Sequence, residues 1–483
     1  MMSRRLPALN PATFCRILGG GGGGFLSSVR LLSEFCPRPP PQAATATATT
    51  TVDEEKFGSL LSSPLMIVPP FSKTEEEYDD DYNDYFHFFR VADQKKYRVR
   101  KNLGLAWQRE YLTPDNAACI GSTHGWLVFL DPRNGYLYLL NPFIKHQNFS
   151  SLHNHNHLPY IPLPSLETLP TVKGMRVLKS DNLSPSTSLV RDFLMTFFDQ
   201  TNEHKSPPSE TVALRTIHDV VLSSSPSSSP DNDQCTTTTT AVMNYGGDLY
   251  FCKLGVDERW TLLSNDISYN RCCDVIYFSK DGRFYSSGNH HEYHQLEAWD
   301  LTDHSCPKHQ LIDPTFSNPR TIPDIPKTWH DSFVKYLVES SGDLLLVFRI
   351  FNTEFVPGGK EKDPIDPPKF HRTLRFVVHK LNFKLNKWEH VKCLDDRSLF
   401  VGYNHSFSLS TRDYPELRGN SIYFTENYEE LLLMCNTGHD NGVFHLDDNS
   451  INYYRTRDWK CTEPHYLLVP SPVWICDAQN NVR

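Results

Sequence analysis

Hairpin follows hairpin along most of this chain, and that repetition limits the fold more than any other feature of its 483 residues. The clearest instance is Ile120-Gly121-Ser122-Thr123-His124-Gly125-Trp126-Leu127-Val128-Phe129-Leu130-Asp131, followed by Gly135-Tyr136-Leu137-Tyr138-Leu139-Leu140-Asn141-Pro142. It reads as a glycine turn, a buried strand, a polar hairpin, and a second strand ended by Asn-Pro. A chain written as repeated short hairpins is an all-β sandwich, barrel or propeller.

The same grammar returns downstream. Asp219–Ser223, Thr236–Tyr245 and Leu249–Cys252 make one block, with Trp260-Thr261-Leu262-Leu263 as a further short strand. Asp274–Phe278, Arg283–Ser286 and Gln295–Leu301 make the next, and Tyr336–Glu339 with Leu344–Phe348, Leu374–Leu381 and Trp388–Val391 another. Ser421–Phe424, Gly442–Leu446 and Ile451–Tyr454 form the last. Trp260 and Trp388 hold matching places, at a separation that accommodates about three propeller repeats of ~40–50 residues. Propeller blades are covered on both faces by their neighbours, so their strands read as apolar runs. The expectation is therefore an all-β fold, a β-propeller of roughly six to eight four-stranded blades, with a disordered N-terminal leader. A tandem of β-sandwiches is the alternative, but no linker divides residues 120 to 460.

The first ~55 residues read as a leader, 56–475 as the propeller domain, and 476–483 as a tail. Arg4, Arg5, Arg16, Arg30 and Arg38 stand among Ser, Ala, Leu and Pro, and Glu34 is the only acid before Asp53. Phe25, Val29 and Leu32 share a helical face. This is the pattern of an organelle transit peptide, and the expected destination is the mitochondrion, with plastid or cytosol and nucleus as alternatives. Gly19–Gly24 and the Ala-Thr run at 43–51 are spacers with nothing to bury. The acidic run 75–84 reads as a solvated loop, with an acidic docking patch as its sharper alternative.

A formal charge of -9 argues against a nucleic-acid partner held by phosphate neutralisation. No apolar run approaches the roughly 20 residues of a membrane span. The 12 cysteines show no Cys-x-x-Cys pair, and Cys119, Cys252 and Cys393 fall in apolar strand-like segments, so they are expected as reduced thiols.

From Gly121-Ser122-Thr123-His124-Gly125-Trp126-Leu127 onward the chain resembles a large plant family first described as domain of unknown function 295, the KIB-type β-propeller. The resemblance continues through Leu140-Asn141-Pro142, Ile161–Pro164, Val220–Pro226, Cys273–Tyr277 with Gly282–Tyr285, Leu399–Asn404, Ser421–Thr425 and Gly442–Phe444, in order over most of residues 60 to 460. It implies a propeller in which Gly121, Ser122, His124, Gly125, Trp126, Asn141 and Pro142 are structural motif positions. Some members carry an N-terminal F-box and resemble ubiquitin-ligase receptors. Others begin with an organelle address followed by segments like Ser63–Pro70 and Tyr85–Phe89, and this chain resembles that kind. No Leu-Pro-x-Glu-Leu-Leu helix pair is seen, so adaptor binding is not implied. The polar stretch 171–216 and the Ser/Thr-rich 224–240 depart from the family pattern.

Candidate chemistry is sparse. His153, His155 and His157 lack a neighbouring carboxylate or thiolate, and His290, His291, Glu292 and His294 lie in a hairpin loop with no rigid element to fix ligand geometry. Ser122 is not in a Gly-x-Ser-x-Gly elbow; His124 reads as a turn residue bonding backbone and Trp126 as packing between blades. Gly19–Gly24 joins no strand to a helix, and Asp79–Asp81 are contiguous rather than alternate as calcium ligands are. Asn148-Phe149-Ser150 and Asn404-His405-Ser406 fit a glycosylation pattern that an organellar protein would not use. The expectation is a protein with no catalytic, cofactor or metal residues that binds a protein partner on a loop face or in the central channel.

Overall fold

The computed structural model describes residues 50–52, 63–68, 85–100, 118–131, 135–141, 160–170, 217–226, 239–245, 247–263, 272, 274–288, 294–319, 331–355, 369–402, 405–426, 440–454 and 473–476. All belong to the compact unit Ala48–Arg483. Residues 1–49 of the leader, the acidic run 75–84, Pro142 and the 171–216 stretch lie outside the described residues, and Thr50–Val52, read as part of the leader, is a strand.

Among the described residues the strands form six sheets. The chain enters with β1 (Thr50–Val52), β2 (Leu65–Ile67), β3 (Tyr85–Arg90) and β4 (Lys95–Arg100), the first part of blade 1. Blade 2 holds β5 (Ala118–Thr123), β6 (Trp126–Asp131), β7 (Tyr136–Leu140) and β8 (Tyr160–Leu163). Blade 3 holds β9 (Ile217–Leu222), β10 (Thr240–Tyr245), β11 (Asp248–Lys253) and β12 (Thr261–Leu262). Blade 4 holds β13 (Asp274–Phe278), β14 (Arg283–Ser287), β15 (Leu296–Asp300) and β16 (Lys308–Ile312).

Blade 5 combines β17 (Thr315–Phe316) with β18 (Asp331–Ser340), β19 (Asp343–Phe355), β20 (Lys369–Asn382) and β21 (Lys387–Val391). Blade 6 holds β22 (Arg397–Val401), β23 (Phe407–Ser410), β24 (Ser421–Phe424), β25 (Gly442–His445) and β26 (Ile451–Tyr453). Here β23 folds back inside β22, and β22 runs parallel to β24. Finally β27 (Val473–Ile475) returns to pair with β2, so the C-terminal strand becomes the innermost strand of blade 1.

Among the described residues six apolar clusters hold the ring, one at each blade boundary. Strand alternation generates them. In β11, Leu249 and Phe251 pack toward blade 4, while Tyr250 and Cys252 pack toward blade 2. In β2, Leu65 and Ile67 face blade 2 while Met66, with Val68 just after the strand, faces blade 6. A strand buried on both faces has no polar face to show, which is why these segments read as continuous apolar runs. Each large side chain buried this way contributes about 1.5–3 kcal/mol of transfer free energy.

The blade number is six. The matching tryptophans sit two blades apart rather than three, because blade 5 is built on strands of 13 and 14 residues and consumes extra sequence. Their equivalence is physical all the same. Trp260 Nε1 donates to Pro164 O at 2.7 Å and Trp388 Nε1 to His294 O at 2.9 Å, each reaching back to the preceding blade. Two smaller readings change. Cys393 is exposed in the turn after β21 rather than packed in a strand, and Cys476 is buried beside the Tyr414 hydroxyl rather than in a tail.

Candidate functional site

The motif strand β5 is the inner strand of blade 2, and three successive residues at its end tie that blade to others. Ser122 Oγ donates to the carbonyl of Trp474 on the closing strand. Thr123 Oγ1 accepts from Leu222 N on β9 at 3.2 Å. His124 and Gly125 then make the two-residue turn into β6, with φ of 49° and 79°. Two left-handed residues in a row are what a tight hairpin with the native strand twist requires, and glycine takes the second place without strain. Gly121 follows a bulge, since Cys119 faces Phe129 and Gly121 faces Val128. Trp126 is buried between blades 2 and 3, its Nε1 3.4 Å from Ser225 Oγ. Asn141 is half-buried just past β7.

The His124 side chain does not bond turn backbone as its sequence suggested. Its Nδ1 lies 3.2 Å from the Thr123 hydroxyl, and its ring stands 5.7 Å from that of His405. His405 comes from the β22–β23 connection of blade 6, and its backbone N–H donates to the Asp219 carboxylate on β9 of blade 3. In a six-membered ring blades 3 and 6 are opposite. His405 therefore acts as a strut between facing blades.

Polar groups on the inner strands complete this axial cluster. Asp219 follows His218, the extra residue of a bulge that sets Ile217 against Tyr245 and Asp219 against Asn244. The bulge turns the His218 side chain out to solvent while Asp219 stays buried. Asp274 on β13 accepts from Val275 N at 2.9 Å and from Leu337 N on β18. Lys335 Nζ donates to Gly288 O, again joining blades 5 and 4. Blade after blade, a polar side chain meets the next strand's backbone.

Burial shifts these groups toward their neutral forms. It pushes Asp274 up to about 7, against the opposing pull of its backbone donors and Lys335. Asp219 goes well above the carboxylate range, through burial and the nearby Asp274 charge. Burial takes His124 down to about 4 and His405 down to about 3, the latter helped by His124. The cluster at neutral pH is thus two uncharged imidazoles and two carboxyls already engaged by backbone N–H groups. The hydroxyl that touches His124 is Thr123, almost fully buried and bonded to Leu222 N, so it has no open approach for an acyl group.

Among the described residues no group of three or more His, Cys, Asp or Glu is placed to hold a metal ion. His294 pairs with Asp313 at 2.9 Å, while His290, His291, Glu292, His153, His155, His157, Asp79–Asp81, Asn148 and Asn404 lie outside the described residues. Among the described residues no helix is long and apolar enough to cross a membrane.

The raised Asp274 carboxyl makes a pH prediction. Burial raises its folded pKa to about 7, above the ordinary carboxylate value of 3.8, so between those limits the native state holds a proton that the unfolded chain has lost. Stability contributed by this group is therefore full below pH ~4 and declines as pH rises toward 7. The Asp274→Asn variant abolishes that slope. Urea unfolding of both proteins from pH 5 to 8 is expected to show the variant gaining on the wild type by roughly 1–3 kcal/mol as pH rises, allowing for partial solvation. Parallel curves would remove Asp274 as the titrating group.

Asp219, Asp274 and His405 were missed from sequence because each stands in or beside an apolar strand and acts only once the ring closes. The signal was there in principle: an acid opening an otherwise apolar run, as in Asp274-Val275-Ile276.

Comparison with known proteins follows the same lines. A model of the KIB1-4 β-propeller matches residues 88–447. F-box protein SKIP23 of Arabidopsis thaliana is 30% identical over 230 residues, covering 45% of this chain and 49% of the relative. F-box protein At2g17036 of the same plant is 29% identical over 243 residues, 47% of this chain and 50% of its own. F-box protein At2g17690 is 35% identical over 106 residues, 22% of each. The matched spans thus cover about half of these relatives or less. The family model spans well over half of this chain and its six blades match the description, so the chain belongs to the KIB1-4 β-propeller family.

Proposed function

We propose that this chain is a non-catalytic protein-interaction scaffold, a propeller that docks a protein partner on its loop-bearing surface and works inside an organelle, the mitochondrion. The observation that carries the reading is the axial strut. His405 reaches Asp219 across the ring and its imidazole stands beside that of His124, so the chain's own groups meet at the axis and the reading places the partner on the outer and loop surfaces. The axial polar groups are spent on interblade hydrogen bonds, which suits a rigid platform. The address rests on the arginine-bearing, acid-poor first ~50 residues.

Residues 1–60 fused to a fluorescent reporter test the address; a mitochondrial signal supports it, and a diffuse cytosolic one removes it. Proximity labelling from the full chain in intact cells then identifies the neighbours, and recovery of matrix proteins is expected. A second reading is favoured by the F-box names of the relatives. On that reading the chain resembles a substrate receptor of a ubiquitin ligase, and affinity purification recovers a Skp-type adaptor in place of matrix proteins.

A further inference from the structure

Exposed large apolar side chains are few among the described residues, and two of them share one turn. Phe383 and Leu385, 45% and 61% exposed, lie in the tip 383–386 that joins β20 to β21 in blade 5. The tip is braced from below. Leu385 N donates to Asn382 Oδ1 at 3.1 Å, Asn386 holds a left-handed φ of 49°, and its Nδ2 donates to Asp313 O at 3.0 Å. The Phe383 ring lies nearly parallel to Phe278 of blade 4 at 5.8 Å and edge-on to Tyr285 at 6.0 Å. A contact made on this tip therefore has little ordering left to do, which lowers the cost of binding there.

Charge decides what fits. The acids around the tip are engaged: Asp281 accepts from the Tyr285 hydroxyl, Glu339 from Ser279 N, and Glu389 from Asn382 Nδ2 at 2.9 Å, while Asp343 pairs with Lys380 at 3.4 Å. Lys384 and Lys387 are exposed on either side of Leu385 and meet no carboxylate among the described residues. Given a scaffold that docks a protein partner, we infer that this tip and the blade 4 surface beside it take an acidic segment of that partner. An apolar side chain of the segment covers Phe383 and Leu385, and its carboxylates meet Lys384 and Lys387.

An anionic membrane would also satisfy the lysines, but a membrane is broad. Turns between the third and fourth strands of the blades leave one end of the ring, and the Ser340 and Ser408 hydroxyls, 2.9 Å apart, tie blade 5 to blade 6 there. At that end of blade 6, beside the β25–β26 turn, exposed Asp395, Asp413, Glu416, Asp447 and Asp448 outnumber Lys392, Arg412 and Arg418. An anionic lipid surface pressed on the tip meets those acids too and is repelled. A single segment can lie on blades 4 and 5 alone.

The photo-cross-linking residue benzoylphenylalanine, placed at position 385 of the full chain and illuminated in intact cells, gives the test. Mass spectrometry of the product is expected to show a protein segment with acidic residues beside an apolar one. Lys384→Glu combined with Lys387→Glu should cut the yield at least about tenfold, because like charges then meet. The same probe at position 311, 54% exposed on the outer strand of blade 4, should not give that product. Unchanged melting midpoints, expected for exposed positions, show that the variants fold. A lipid adduct, a segment without acids, an equal yield from position 311 or a yield unmoved by the charge reversal overturns the inference. So does the absence of any product at 385, and the scaffold reading falls with it only if proximity labelling also finds no neighbour.

Discussion

Replacing Trp474 by alanine is expected to cost about 3–5 kcal/mol, the range for emptying a large buried aromatic site, and to lower the cooperativity of unfolding. The closing strand β27 has only three residues, so backbone pairing with β2 contributes little by itself. Ile475 and Cys476 are buried too, but the largest side chain the strand contributes is Trp474. Trp474 is 1% exposed and stands edge-on to Phe400, with its Nε1 3.2 Å from Val401 O in blade 6. Its carbonyl accepts from Ser122 in blade 2. One residue therefore joins the last blade to the second through the first. Without its ring, the boundary between blades 6 and 1 loses its centre, and the ring can open there.

Calorimetry gives the test. A broadened or split transition with a lowered midpoint is the expected result, and Ser122→Ala should cost only about 1 kcal/mol, one hydrogen bond. A Trp474→Ala protein that melts within ~0.5 kcal/mol of wild type, the range of a neutral surface change, would show that closure rests elsewhere.

How much of this was legible depends on burial. Strands covered on both faces, such as Leu137–Leu140 or Leu344–Phe348, announce themselves as apolar runs, and their turns carry the left-handed residues that hairpins need. Hence the propeller class was readable. β16 was not, because an outer strand exposed at nearly every position has no apolar pattern to show. Nor was β27, three residues between a proline and a cysteine. The axial cluster was invisible for a different reason. Ser122 and Trp474 are 352 residues apart, and His405 meets Asp219 only when opposite blades face each other, so no local window contains the site. The sequence motif did lead to it, since Ser122, Thr123 and His124 all bear on the axis or the closure.

The largest expected effect away from the closure lies at Arg349. Its guanidinium is buried between blades 5 and 6, and all five of its N–H donors are used. Nε donates to Thr373 Oγ1 at 2.8 Å; Nη1 to the Tyr336 hydroxyl and to Thr425 O at 2.6 Å; Nη2 to Asp440 O and to Asp440 Oδ2 at 2.9 Å. The Phe424 ring covers the cation at 4.8 Å. Asp440 Oδ2 is held in turn by the N–H and hydroxyl of Thr373, and Asp440 N donates to Glu426. Burial works against the Arg349 charge, but Tyr336, Asp440 and Glu426 together raise its pKa.

Removing one member of such a pair leaves a buried charge without its partner. Arg349→Met is expected to cost about 3–5 kcal/mol for that reason. Arg349→Lys keeps the charge but offers three donors in place of a planar five, so it should not rescue fully. Removing both charges is the decisive measurement, because desolvation then falls on neither. Arg349→Met/Asp440→Leu should be more stable than Arg349→Met alone, with a coupling of at least ~1.5 kcal/mol in the cycle. Additive single costs would mean that Arg349 holds the two blades by packing, with the ion pair incidental.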